Sequence, residues 1–177
     1  MSTHVTKICN AAFYHLHKVF ITRRLDYCNG LLYGLPNSQI VKLQRVQNAA
    51  ARLVLSLSKY SHISPALYQL HWLPVQHRVH FKSFILTFKA INGLAPKYII
   101  ELILNIKPRS ICNFRSNQSL LLDPPKGKML VTLDDRSFSA AAPYLWNSLP
   151  DELRDVQSLA VSKCKLKTYL FRAAFTT

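Results

Sequence analysis

Acidic residues are scarce in this chain, and their scarcity limits the chemistry it can perform. Eight Asp and Glu stand against 23 Lys and Arg among 177 residues, giving a formal net charge of +15. Through residue 100 the single acid is Asp26, against twelve bases. Carboxylate clusters that bind catalytic metal ions or transfer protons therefore have few residues to draw on. The positive excess instead favours polyanionic partners such as RNA or DNA.

Glycines and paired cysteines are also lacking. The four glycines form no phosphate-binding loop, and the four cysteines show no CxxC spacing, which excludes a zinc ribbon and a thioredoxin-like redox site. We expect buried free thiols in a reducing compartment. The first 20 residues have no uninterrupted apolar core, and polar residues break the most apolar run, 84–104. We expect a cytoplasmic or nuclear protein that is not secreted and has no membrane partner.

Hydrophobic residues make up 49% of the chain, enough to bury a core, and their spacing predicts a mainly α fold, a helical bundle. The clearest helix is predicted over residues 37–58, after Pro36, with Asn37 or Ser38 as its cap. One apolar stripe of this helix is predicted to face the core. The residues of the stripe are Leu43, Val46, Ala50, Leu53 and Leu57, and those predicted to lie roughly opposite it are Gln44, Asn48 and Ala51.

Other helices and one hairpin complete the predicted architecture. Ser64 is predicted to cap a helix in which Pro65 takes the first position, and a further helix is predicted to break or begin at Pro143. The remaining helices are expected over 5–21, over 75–92, after Pro96, from 151 and over 158–175, with a small β-hairpin near 118–134. Asn92 and Gly93 are predicted to end the helix over 75–92. The basic residues predicted to point outward on the last helix are Lys163, Lys165, Lys167 and Arg172. The predicted organisation is an N-terminal helix (1–22), a basic helical bundle (23–104), a loop or hairpin (105–136) and C-terminal helices closing the same domain (137–177).

Basic residues recur at helical spacing on two predicted helices, with two arginines just before them. We predict that these cations contact nucleic acid phosphates. The alternative is a solvated flank whose aliphatic stems cover the edge of the core. The predicted nucleic-acid-binding residues are Arg23, Arg24, Lys42, Arg45, Arg52, Arg78, Lys82 and Lys89.

Histidines and aromatic residues are the remaining candidates for binding or catalytic chemistry. His77 and His80 lie one turn apart on a helix, and His71 precedes them, but no Cys, Asp or Glu lies close in sequence. Packing is therefore favoured over zinc binding, and we predict no metal site, catalytic residue or cofactor. Most aromatics fall on apolar stripes. The better candidates for stacking on nucleic acid bases are Tyr14, Tyr33 and Tyr60.

Several longer phrases together resemble one protein family. They include RLDYCNGLLYGLP, KLQRVQNAAARLV, LHWLPVQHRVHFK, LTFKAINGLAPKYI, DRSFSAAAPYLWNSLPDELR and KCKLKTYLF. In this order they resemble LINE-type (non-LTR, jockey-like) retrotransposon polyproteins, in the carboxy-terminal region after the reverse transcriptase core. The resemblance runs from about residue 23 to about residue 171. Before residue 23 the match is poorer and the chain looks shortened.

The resemblance implies an origin in an RNA-directed DNA polymerase but not its activity. Such polymerases hold metal ions on an Ala-Asp-Asp hairpin and a third Asp. The adjacent acids here, Asp134 and Asp135, have no preceding Ala and match a turn in the carboxy-terminal region. The endonuclease half of such polyproteins carries a cluster of Glu, Asp, His and Asn, and this cluster has no counterpart here. We therefore expect a non-catalytic fragment that contacts RNA or an RNA/DNA hybrid and, as a protein partner, a reverse transcriptase core. The alternative is a truncated relic that acts only as a structural or protein-interaction module with no selected function.

Overall fold

The computed structural model describes residues 15, 23–27, 32–104, 121–122 and 138–175. In this part of the chain the regular structure is α-helical, which confirms the predicted mainly α fold. The predicted helix over 5–21 lies outside the described residues except for His15, and the predicted hairpin lies outside them except for Leu121 and Leu122. The helices are α1 (Arg23–Asp26), α2 (Asn37–Val54), α3 (Ile63–Gln69), α4 (Val75–Ile91), α5 (Lys97–Leu104), α6 (Phe138–Asn147), α7 (Asp151–Arg154) and α8 (Leu159–Phe175).

Helix α4 is the centre of the main hydrophobic core and packs most extensively against α6 and α8. Phe88, 1% exposed, lies in this core with Trp146 of α6 and Leu166 of α8. The segment at Leu122 is attached to the same core, because the Asn147 side-chain amide accepts a hydrogen bond from its N–H at 3.0 Å and donates one to its carbonyl at 2.7 Å. A smaller cluster joins α2 and α3 around Trp72.

Helix α2 is rotated relative to the prediction. Val46 and Leu53 of the predicted inward stripe are 49% and 70% exposed, and Leu57 is exposed as well, so that part of the prediction is wrong. Ala50 is buried as predicted, but Ala51, predicted to lie on the opposite side, is fully buried too. Of the predicted stripe, Leu43 is partly buried. The helix therefore presents a mixed polar and small-residue face to its neighbours.

Two glutamines explain the rotation of α2. The fully buried Gln47 donates from Nε2 to the Leu73 carbonyl at 3.0 Å, and the Gln44 Oε1 accepts from the Val75 N–H at 2.9 Å. Val75 is the first residue of α4, whose first-turn amides have no partner within the helix. Gln44 therefore caps α4 from a neighbouring helix. An amide can only do this if α2 turns its glutamine side inward.

The predicted side-chain caps of α2 and α3 are absent. Pro36 and His62 occupy the N-cap positions and make no side-chain cap hydrogen bond, so neither Asn37, Ser38 nor Ser64 has the predicted role. Helix α3 begins at Ile63, which places Pro65 third rather than first. The buried Pro143 lies inside α6, which neither begins nor breaks there. A proline inside a helix loses one backbone hydrogen bond and crowds the carbonyl four residues earlier, so Pro143 lowers the intrinsic stability of α6, whose helical conformation is supported by packing in the core.

Helices α2, α3 and α4 end in the same way. In each, the residue after the C-cap has a positive φ, 53° at Ser56, 55° at His71 and 69° at Gly93. The following amide donates back five residues, as in Leu57 to Arg52, Trp72 to Leu67 and Leu94 to Lys89. This is the Schellman arrangement, which glycine adopts most easily. Gly93 ends α4 as predicted, whereas α2 ends at Val54, before the predicted residue 58, because Ser56 adopts the left-handed conformation.

Candidate nucleic-acid interface

The predicted phosphate-binding cations fall into exposed and internally bonded sets. Arg23 and Arg24 are exposed on α1, Lys42 and Arg45 on α2, and Lys82 on α4, while Lys89 is partly buried. On α2 the buried side centres on Gln47 and Ala50, so at 100° per residue Lys42 and Arg45 point to the opposite, solvent side. The aliphatic stems of Lys42 and Arg45 therefore lie away from the core. This disagrees with the alternative in which such stems cover the edge of the core.

Two of the predicted residues have structural partners. The Arg52 Nη2 donates to the Ser61 carbonyl at 3.3 Å, across the turn after α2. The Arg78 Nη1 forms an ion pair with Asp26 Oδ1 at 3.0 Å, its Nε donates to the Leu73 carbonyl at 2.9 Å, and its side chain is 14% exposed. A partly buried, paired guanidinium holds the fold together more than it attracts a ligand. Arg78 fixes α1 and the chain before α4 against α4.

A basic cleft opens beside Arg78. We define the cleft by its lining, to which α1, the segment before α4, α4 itself and α8 all contribute, around a volume of about 340 Å³. Lys82 and Lys167 are its exposed cations, and among the described lining residues Asp26 is the only acid. Lys167 was predicted to point outward but not to take part in binding. No sequence signal links it to Lys82, since 85 positions separate them. The lining residues are Asp26, His71, Leu73, Arg78, Phe81, Lys82 and Lys167.

A second cavity, of about 200 Å³, lies between the chain before α2 and the start of α4, and includes Tyr33 and His80 in its lining. Their ring centroids are 6.0 Å apart, and His77 lies 6.3 Å from His80. Burial and, less strongly, the neighbouring Tyr144 raise the pKa of Tyr33. Burial lowers the pKa of His77, and burial followed by repulsion from His77 lowers the pKa of His80. Within the described residues, no three His, Cys, Asp or Glu side chains are placed to hold a metal ion.

The two histidines predict a pH-dependent stability. Their folded-state pKa values lie below the unfolded value of about 6.5, so the unfolded chain binds protons more readily. Their stabilising contribution is therefore complete above about pH 6.5 and declines as the pH falls. We expect the urea concentration at the unfolding midpoint to decrease as the pH is lowered from about 7.5 to about 5.5. In a His77→Gln, His80→Gln double variant this decrease should be smaller.

The matched control for this pH series is His62→Gln, since His62 is exposed. Its pH profile should follow that of the unsubstituted chain. An unchanged profile in the double variant would show that the buried rings do not carry the dependence.

The predicted stacking aromatics are only partly suited to that role. Tyr60 is exposed, with the Lys59 Nζ 4.9 Å from its ring centroid, while Tyr33 is half-buried and Tyr14 lies outside the described residues. Tyr68, which is not among the predicted candidates, is 56% exposed on α3, and its ring centroid lies 5.3 Å from that of Phe171 on α8. The expectation of buried thiols is wrong for Cys164, which is exposed.

Comparisons with family models, with curated proteins and with solved structures find no match to this chain. None of the helices in the described ranges is long and apolar enough to cross a membrane.

Proposed function

We propose that this chain is a non-catalytic, nucleic-acid-binding helical domain derived from the carboxy-terminal region of a LINE-type retrotransposon reverse transcriptase. It binds RNA or an RNA/DNA hybrid through phosphate contacts. Such contacts position a nucleic acid without reading its sequence. The proposed contacts are made by the exposed members of the predicted set: Arg23, Arg24, Lys42, Arg45 and Lys82.

The observation that supports this function is the imbalance of exposed charge on a folded scaffold. Between residues 23 and 104 the only acids are Asp26 and Glu101, and Asp26 is paired with Arg78. The cations on α2 thus face solvent with little local negative charge to neutralise them. Local positive potential of this kind attracts phosphates by displacing their counterions.

Charge reversal on α2 tests the proposed function. We expect Lys42→Glu with Arg45→Glu to lower the affinity for RNA on the order of tenfold, and to the same extent for two unrelated sequences, because phosphate contacts are lost rather than base contacts. Both side chains are exposed, so folding should be unaffected. Fluorescence anisotropy with labelled RNA measures the change.

Lys163→Glu with Lys165→Glu is the matched control, since it makes the same change in net charge at exposed positions of α8. A smaller loss in this control is expected. Equal losses in both variants would mean that overall charge, rather than the α2 face, attracts the RNA.

A protein-interaction role without nucleic acid binding is the second candidate, favoured by the exposed Val46 and Leu53 on α2. Apolar side chains left on an outer helix face can pack against another protein, such as the polymerase core of the parent polyprotein, or promote self-association. Purified chain that aggregates without binding RNA supports this candidate. A monomer that binds RNA supports the first.

A further inference from the structure

The basic cleft is bordered by a group of aromatic rings from α3 and α8. We name this group, Tyr68, His71, Phe171 and Phe175, the aromatic ledge. The His71 ring is stacked on Phe171 with centroids 5.7 Å apart and planes 25° apart, and Tyr68 lies 5.3 Å from Phe171. Phe175 backs both Tyr68 and Phe171, at 5.7 and 4.7 Å. The four rings therefore pack against one another as one group. His71 belongs both to the aromatic ledge and to the cleft lining.

His71 occupies a backbone position that disfavours its residue type. Its φ of 55° is left-handed, which costs an L-residue roughly 1 to 2 kcal/mol relative to glycine. Glycine takes the corresponding position at the end of α4. At His71 the strained backbone places an exposed ring at the rim of a cationic cleft.

One cation of the cleft, Lys167, lies on the same helix as two rings of the ledge, Phe171 and Phe175. Lys167 and Phe171 are one turn apart on α8, so an ammonium group and an aromatic ring follow each other along one side of the cleft. Lys82 approaches the same space from α4. With Asp26 committed to Arg78, the cleft keeps a positive excess. Alternating cations and aromatic rings are the arrangement that binds single-stranded nucleic acid, with phosphates on the cations and bases on the rings.

The size of the cleft also limits the ligand. A volume of about 340 Å³ is at the small end of the range for small-molecule sites, about 300 to 1,000 Å³. A volume of this size suits a single nucleotide. A base can stack on a protein ring only when it is not already stacked within a helix, which favours an unpaired strand.

We propose that the basic cleft and the aromatic ledge bind a single-stranded nucleic acid segment, with phosphates on Lys82 and Lys167 and a base stacked on His71 and Tyr68. This inference rests on the proposed function and makes it more specific, because it adds base stacking to phosphate contacts. Stacking tolerates any base. The site would therefore distinguish single strands from duplexes without distinguishing sequences.

His71→Gly in the full chain tests the stacking step. Glycine relieves the left-handed conformation, so the variant should be at least as stable as the original chain while losing the ring. We expect it to bind a labelled oligouridine strand on the order of tenfold more weakly, and an abasic sugar-phosphate strand of the same length equally well. Lys82→Gln with Lys167→Gln should weaken the binding of both strands.

Two substitutions serve as matched controls. Ser56→Gly relieves the same backbone conformation at the end of α2, and Lys165→Gln removes an exposed cation from α8 outside the cleft lining. Both should bind oligouridine like the unsubstituted chain. Tyr68→Ala, an exposed ring, should reproduce the effect of His71→Gly, which guards against a local effect at residue 71.

The outcomes separate this inference from the function on which it depends. If the unsubstituted chain binds oligouridine and the abasic strand equally, and His71→Gly changes neither, base stacking is refuted while phosphate binding stands. If the unsubstituted chain binds neither of these strands nor an RNA/DNA hybrid at low salt, both proposals fail. If the unsubstituted chain prefers duplex RNA over oligouridine, the proposed single-strand site is refuted while phosphate binding stands.

Discussion

Raising the salt concentration from about 50 to about 200 mM is expected to weaken RNA binding by this chain on the order of a hundredfold. Each phosphate contact on a single strand releases counterions and adds about 0.7 to the slope of log affinity against log salt. The five exposed cations proposed above would give a slope of about −3.5. This large dependence follows from contacts that are electrostatic and lie at the surface, where ions screen them.

Anisotropy titrations of the full chain at several salt concentrations measure this slope. The Lys42→Glu, Arg45→Glu variant provides an internal check, since losing two contacts should make the slope shallower by about 1.4. A flat response to salt would contradict phosphate binding. A steep response with an unchanged slope in the variant would move the contacts away from α2.

Replacing Phe88 with alanine is expected to lower the free energy of unfolding by about 3 to 5 kcal/mol. The side chain is 1% exposed, in the last turn of α4, where it packs in the core shared with α6 and α8. Truncation removes the transfer free energy of the ring and leaves a cavity that neighbouring helices can only partly fill. Since domains are typically stable by about 5 to 15 kcal/mol, this loss removes a large part of the total stability. Urea denaturation followed by circular dichroism measures the change.

Leu53→Ala is the informative comparison for Phe88→Ala. The sequence pattern places Leu53 in the core, but its side chain is 70% exposed on α2. We therefore expect a change within about 0.5 kcal/mol. A loss of several kcal/mol at Leu53 would mean that the predicted stripe does face a protein surface, either within this chain or in a stable dimer. Repeating the measurement at two protein concentrations separates these cases, because dimer stability depends on concentration.

The face that α2 buries illustrates the limit of periodicity as a guide. Spacings of three and four identify a helix, and they also define an apolar stripe at Val46, Ala50 and Leu53. They give no weight to glutamines whose amides cap the first turn of another helix. Gln44 accepts a hydrogen bond from the first-turn amide of α4, and Gln47 donates one to the Leu73 carbonyl. Leaving those groups unpaired inside the protein would cost about 1 to 3 kcal/mol each, comparable to the gain from burying a leucine.

The candidate site likewise combines features that the sequence pattern predicts with features that depend on tertiary contacts. Spacing correctly placed Lys82 and Arg78 on one side of α4, yet Arg78 is occupied by Asp26, 52 positions away. Lys167 and the aromatic ledge joined the site only because α8 packs against α4 and because α3 ends at a left-handed histidine. No local pattern distinguishes His71 from His77 or His80. Their different roles follow from what each ring touches.

The sequence alone determined the helical character of this protein, its helix-ending glycine at position 93, its deficit of acids and the cations available to bind phosphates, because these depend on local spacing, backbone preference and composition. Only the tertiary structure decided which face of α2 is buried, which arginines are neutralised and which side chains form the basic cleft. Those properties depend on contacts between residues far apart in the chain, where hydrogen-bonding requirements and packing compete with hydrophobic pattern and sometimes outweigh it.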